Sequence, residues 1–192
     1  MSDVLAIKGS PRANGNTDLL VDAAAKGASE AGHRVTVIKP REMDFVGCVA
    51  CGGCHRDGTC HVKDAMQDIF ALLDGSRHII VGSPVFFMGI PWKLKGLIDR
   101  CQLYWARKFV LHVPSGRRSP GGNILPLMVG GTDYRTLFDA STLVLRSWAA
   151  TLEMKLMPGL ALRNIDAKGE ILKHPDLLSQ ATEMGRKIET GE

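Results

Sequence analysis

Four of the five cysteines fall within thirteen residues, as Cys48-x2-Cys51-x2-Cys54-x5-Cys60. A thiolate is a soft ligand for iron or zinc, and two intervening residues let the chain wrap one side of a metal centre while successive sulfurs point inward. Three cysteines at uniform three-residue steps favour a cubane iron-sulfur cluster over zinc, whose structural sites usually pair two knuckles across a longer loop. Zinc, or free thiols beside a redox cofactor, remain open readings of the same spacing. Disulfides are disfavoured, because the opening Met1-Ser2-Asp3-Val4-Leu5-Ala6 shows no basic, cleavable leader and a cytoplasmic chain is expected. Cys101, in a leucine-rich segment, reads as an inert packed thiol.

A second group of residues has the types needed to hold an anion. In Gly9-Ser10-Pro11-Arg12-Ala13-Asn14-Gly15-Asn16-Thr17, backbone amides, a helix N-terminus and hydroxyls converge. Five residues rather than four separate the glycines and Asn16 stands where a nucleotide-triphosphatase loop needs lysine, and G-x-G-x-x-G is also absent. Ser10, Asn16 and Thr17 offer neutral hydrogen bonds and Arg12 a charge, which suits a phosphate monoester held without magnesium. Two further loops carry matching chemistry. Gly82-Ser83-Pro84-Val85-Phe86-Phe87-Met88-Gly89-Ile90-Pro91 carries flat and polarizable side chains that can pack against an aromatic ring, with core packing of Phe86, Phe87 and Trp92 the other reading, and Gly130-Gly131-Thr132-Asp133 supplies a flexible turn. Cys101 to Arg107 fits the C-x5-R phosphate loop of cysteine phosphatases, but its bulky interior contains no glycine and disqualifies it.

The elements that must position these groups alternate. Strands are expected at Asp3 to Lys8, His33 to Lys39, Arg77 to Gly82, Asn123 to Val129 and Lys155 to Leu162. Helices are expected at Asn16 to Ala31, from an Asp64 N-cap through Leu73, Trp92 to Leu103, Tyr134 to Leu152 and Pro175 to Lys187. Such alternation predicts an α/β three-layer sandwich around a five-stranded parallel sheet of order 2-1-3-4-5, with ligands at the carboxyl ends of the strands. All three candidate loops would then share one edge. A single domain over 1–192 is expected, with the cysteines in a loop at about 44–62 and one long excursion from Tyr104 to Gly122. The longest apolar stretch, Ile79 to Trp92, is broken by glycine and proline, so no membrane span is predicted. The net charge of +4 is dispersed, which gives nucleic-acid binding no support.

Taken together, Gly9-Ser10-Pro11-Arg12 with Gly15-Asn16-Thr17, the cysteine run, Ser83-Pro84-Val85-Phe86-Phe87, and Lys93-Leu94-Lys95-Gly96 with Ile98-Asp99-Arg100 resemble the iron-sulfur flavoprotein branch of the NADPH-dependent FMN reductase family. The resemblance implies a flavodoxin-like fold, non-covalent FMN and a homodimer or homotetramer. It implies that Ser10, Arg12, Asn16 and Thr17, in a loop that also contains Asn14, hold the FMN phosphate. Pro84, Val85, Phe86 and Phe87 would line the isoalloxazine, and Gly131 with Thr132 would close over it. Cys48, Cys51, Cys54 and Cys60 match the motif that ligates a 4Fe-4S cluster in the branch. The chain departs from many relatives in placing Phe86 or Phe87 where they carry tyrosine. The implied activity is electron transfer between NAD(P)H or a ferredoxin-type donor and an acceptor through the cluster; the alternatives are a cluster-free NAD(P)H:flavin or quinone oxidoreductase and, second, a non-enzymatic flavin electron carrier.

Overall fold

The computed structural model describes residues 3–115 and 121–191. Six parallel strands form the sheet: β1 (Asp3–Lys8), β2 (Arg34–Ile38), β3 (His78–Pro84), β4 (Asn123–Val129), β5 (Lys155–Leu156) and β6 (Leu160–Leu162). Their order is β2-β1-β3-β4-β5, with β6 also on β4. Inner strands β3 and β4 are almost wholly buried, as a sheet covered on both faces requires. Alternation along β1 divides the core. Leu5 and Ile7 face a cluster with Ile79, Val81, Leu94 and Trp148, while Val4 and Ala6 face another with Leu20, Ala24, Ile80 and Leu125. Helices α1 (Asn16–Glu30) and α7 (Pro175–Arg186) cover the second face. The first is covered by α3 (Met66–Gly75), α4 (Trp92–Arg100), α5 (Gln102–Phe109) and α6 (Asp139–Thr151). The α/β three-layer architecture and strand order agree with the sequence reading.

Three boundaries differ from it. The fifth strand divides into β5 and β6 because Pro158 has no N–H to give the ladder, and Gly159 passes so close to β4 that a Cβ there would sit 1.9 Å from the Pro126 carbonyl oxygen. The helix begun at Trp92 is interrupted at Cys101 (ψ 4°) and resumes as α5, so the first part of the Tyr104 to Gly122 excursion is helical; residues 116–120 lie outside the described residues. Residues 134–138 form turns before α6 begins, and Leu137 folds onto Gly130, where a Cβ would meet its Cδ2 at 2.6 Å. Among the described residues no helix is long and apolar enough to cross a membrane.

The chain passes from β1 into its first loop by a close approach. The Gly9 amide donates to the Gly82 carbonyl at 2.9 Å, and a Cβ on Gly9 would lie 2.5 Å from that oxygen and 2.6 Å from Leu94 Cδ2. Glycine therefore lets the loops after β1 and β3 lie side by side at the carboxyl edge of the sheet.

Candidate functional site

Loops after β1, β3 and β4 meet as their order in the chain requires. Ser10, Arg12, Asn16 and Thr17 line a cavity of about 60 Å³ together with Pro84, Val85, Phe86 and Gly131. Asn14, Phe87 and Thr132 are not part of this lining. Asn14 has left-handed backbone (φ 54°) and its amide donates to Asp18 Oδ2 at 3.0 Å. Thr132 is exposed, and its carbonyl accepts from the Asn164 amide at 3.4 Å.

Asn16 commits its side-chain amide to the loop after β6. Its Nδ2 donates to the Ala167 carbonyl at 2.9 Å, and its Oδ1 accepts from the Ile171 amide at 3.1 Å. What α1 turns toward an anion at this position is therefore backbone N–H at a helix N-terminus. Arg12 is exposed and donates from Nη1 to the Asp166 carbonyl at 3.1 Å. Glu170 steadies the same segment by accepting the Asp166 and Ala167 amides, which hold its carboxyl below the usual range. Sequence reading missed this loop, whose Ile165 and Asp166 complete the cavity wall. It also missed Arg41, which pairs with buried Asp18 at 2.9 Å and donates to the Ser10 carbonyl at 3.0 Å. In sequence Asp18 has only the look of an acidic residue favouring a helix start.

Phe86 to Gly89 forms a two-residue hairpin. The Phe86 and Gly89 backbones exchange both hydrogen bonds, at 2.8 and 2.9 Å, while Phe87 (φ 48°) and Met88 (φ 65°) both take left-handed backbone. Two positive φ angles define a type I′ turn, which normally recruits Asn-Gly. Bulky residues there are strained, and the Phe87 ring stands fully in solvent.

The cysteines belong to a second and larger cavity, about 870 Å³, between their loop and helices α4, α5 and α6. Cys48, Cys51, Cys54 and Cys60 all line it, and no lining residue is shared with the first cavity. The loop contains a short helix, α2 (Cys54–Asp57), closed by Gly58 in left-handed backbone. None of the five cysteines is in a disulfide; Cys48 and Cys51 are exposed and Cys54 and Cys60 half-buried. Burial first, then the charge of Cys48 and more weakly those of Cys60 and Cys51, raises the Cys54 thiol. The thiols thus sense one another, although among the described residues no three histidine, cysteine or acidic side chains are gathered tightly enough to hold a metal ion.

The surroundings of this loop are organised by side chains. Asp57 accepts from the Thr59 hydroxyl at 2.7 Å and meets His61 Nε2 at 2.8 Å, and these partners hold its carboxyl far below the usual range. His55 packs against Trp105 with ring centroids 5.9 Å apart. Cys101 lines the same cavity but is buried, and its sulfur accepts from Trp148 Nε1 at 3.2 Å, in keeping with a packed thiol. Beneath the loop, buried Arg100 pairs with Asp64 at 2.8 Å.

Comparison with known proteins assigns the chain to a family and agrees with its fold. The model of the family described as NADPH-dependent FMN reductase matches residues 2–164. An iron-sulfur flavoprotein of Methanocaldococcus jannaschii is 37% identical over 97 residues, 50% of each chain. One of Archaeoglobus fulgidus is 31% identical over 121 residues, 63% of this chain and 52% of the relative. The chain thus spans about half the length of the curated relatives it matches. Among solved structures, an NAD(P)H:quinone oxidoreductase from Methanothermobacter marburgensis superposes with a TM-score of 0.70 at 17% identity, covering 98% of this chain and 97% of that one. A flavone reductase gives the same TM-score at 19% identity, with 98% and 62% covered. At such identities these two likenesses establish a shared fold. The family match over most of the length, on a parallel sheet of the expected order with three loops meeting at its carboxyl edge, places this chain in the NADPH-dependent FMN reductase family.

Proposed function

We propose that this chain is an FMN-dependent oxidoreductase that moves electrons between a reduced donor, NAD(P)H or a ferredoxin-type protein, and an acceptor, with a 4Fe-4S cluster on Cys48, Cys51, Cys54 and Cys60 as the second redox centre. The observation that carries the reading is the meeting of Ser10, Arg12, Thr17, Pro84, Val85, Phe86 and Gly131 around one cavity at the N-terminus of α1. These residues fit FMN. Hydroxyls, a guanidinium and helix-terminal amides suit a phosphate, and an apolar Pro84-Val85-Phe86 rim suits a flat ring. The small, partly open cavity of about 60 Å³ suits the head group alone, which leaves the ring to the rim.

The four thiols fit a cluster by donor type and by facing one cavity, and ligation would require the loop to draw them closer. When bound, FMN supplies exchange of electrons in pairs or singly and a cubane supplies single-electron transfer, so that together they couple hydride donors to one-electron carriers. The chain's residues position and shield. Arg41 and Asp18 hold the first loop in shape, Asn16 ties α1 to the loop after β6, and Arg12 brings charge to the phosphate. No side chain of the site is assigned as general acid or nucleophile. Association into a homodimer or homotetramer is part of the proposal, checked by light scattering.

Arg12→Ala should lower FMN affinity roughly ten- to a hundred-fold, the range of one charge-assisted hydrogen bond, and leave riboflavin affinity nearly unchanged. An equal loss for both flavins would remove Arg12 from the phosphate. A second reading, a cluster-free NAD(P)H:flavin or quinone oxidoreductase, draws support from the thiols being apart. Iron-free protein that is stable and fully active with NADPH would decide for it.

A further inference from the structure

Arg100 ends α4 and has no part in the site as described so far. Its guanidinium, 2% exposed, holds both ends of the cysteine loop at once. Nη1 donates to the Val46 carbonyl at 2.9 Å and to Asp64 Oδ2 at 2.8 Å, and Nη2 donates to the Val62 carbonyl at 3.0 Å and to Asp64 Oδ1 at 3.1 Å. Val46 precedes the first cysteine, and Val62 and Asp64 follow the last. Asp64 in turn accepts the Val46 amide at 3.2 Å and the Met66 amide at 3.0 Å, which anchors the loop to the start of α3.

One donor is left over. Arg100 Nε is buried and has no hydrogen-bond partner among the described residues. A buried N–H of a charged group left unpaired is costly, so its retention calls for an acceptor that comes into reach when a ligand binds. Arg100 lines the same cavity as the four cysteines. The Cys60 sulfur lines that cavity too and stands within interaction range of the guanidinium, without a hydrogen bond of good geometry between them.

We propose that Arg100 is the positioning residue of the cysteine centre, fixing the two ends of its loop and supplying Nε–H to the Cys60 thiolate when a cluster is ligated, and so raising the reduction potential of that cluster. This rests on the cluster reading above and assigns a role to one residue within it. The chemistry follows from charge. A reduced cluster is more negative by one electron, and an N–H donor or cation at a ligand sulfur stabilises it over the oxidised form. Lysine could not do the same, because a compact ammonium cannot serve two carbonyls, a carboxylate and a sulfur from one plane.

The test uses the full chain, reconstituted anaerobically with iron and sulfide, and compares wild type with Arg100→Lys and with the double variant Arg100→Gln, Asp64→Asn. The double variant removes both members of the ion pair, so neither charge is stranded and the net charge is unchanged. Iron per chain, bound FMN, thermal midpoint and the cluster midpoint from an EPR-monitored redox titration are read together. The expected result is a cluster midpoint lowered in both variants by at least tenfold in the reduction equilibrium, about 59 mV for one electron. Loss of iron from variants that keep their FMN would equally support the positioning role. Wild-type iron content with an unchanged midpoint, whatever happens to thermal stability, would reduce Arg100 to an ordinary buried ion pair and overturn the proposal. A wild-type chain that binds FMN but no iron would instead defeat the cluster reading itself, and the proposal with it.

Discussion

At the scale of single residues, Asn16 shows how a side chain can serve a site without facing its ligand. Both ends of its amide are bonded to the segment after β6, so Asn16→Asp would set a carboxylate against the Ala167 carbonyl oxygen. The expected cost is about 1–3 kcal/mol of stability, seen as a lower chemical-denaturation midpoint together with weaker FMN binding. Unchanged stability would mean that this tie is dispensable. Residue types and spacing are what lead the first loop to be read as an anion cradle, a reading that rests on glycines, hydroxyls and a cation ahead of a helix having few other uses. The supporting residues were not legible. Arg41 and Arg100 act on carbonyls and carboxylates far away in sequence, and nothing local to them marks those partners. Gly9 illustrates the same limit. Only the fold shows that its hydrogen is replaced at the expense of the Gly82 carbonyl and Leu94, and Gly9→Ala should cost about 1–3 kcal/mol by overpacking, measured by urea unfolding.

At the scale of elements, the hairpin after β3 stands out as a strained turn. Phe87 is fully exposed at φ 48°, so Phe87→Gly removes little packing and relieves left-handed strain. A gain of roughly 1 kcal/mol is expected, raising the thermal midpoint by about 2–4 °C. If the ring is kept for flavin contact, the same variant should bind FMN less tightly, and unchanged affinity would separate Phe87 from the flavin. The sheet order could be read from hydrophobic runs and the alternation of elements, since parallel strands joined by helices leave few topologies. The interruptions could not. Pro158 and Gly159 split the last strand because of where Pro126 lies on β4, and α5 continues past Cys101 to Phe109, into the first part of an excursion whose loop-like prolines, glycines and serines lie only at 114–122.

At the scale of the whole molecule, the end of the sheet opposite the site is closed by the C-terminal segment. Asn123 Nδ2 donates to the Ile188 carbonyl at 2.8 Å, and buried His78 accepts the Asn123 amide on Nδ1 at 3.1 Å while Nε2 meets Glu189 at 3.1 Å. Burial depresses the His78 pKa below its ordinary 6.5, and the neighbouring Glu189 only partly offsets this. A histidine held neutral when folded but free to protonate when unfolded makes the unfolded state bind more protons, so stability falls as pH drops below about 6.5. The thermal midpoint should therefore decline between pH 7 and 5, and His78→Asn, which keeps an acceptor for Asn123, should flatten that decline. An identical pH profile in the variant would assign the acid sensitivity elsewhere.

The central claim joins a flavin cradle at the carboxyl edge of the sheet to a redox cluster on four cysteines of the neighbouring loop. Its most direct measurement is the cofactor content of anaerobically purified protein, with FMN, iron and acid-labile sulfide quantified per chain and the dithionite-reduced sample examined by EPR. The account predicts about one FMN and about four irons with matching sulfide, and a signal from a reduced cubane that disappears in Cys54→Ser while FMN remains. Protein that carries FMN but neither iron nor sulfide, with the same activity in wild type and Cys54→Ser, would contradict it.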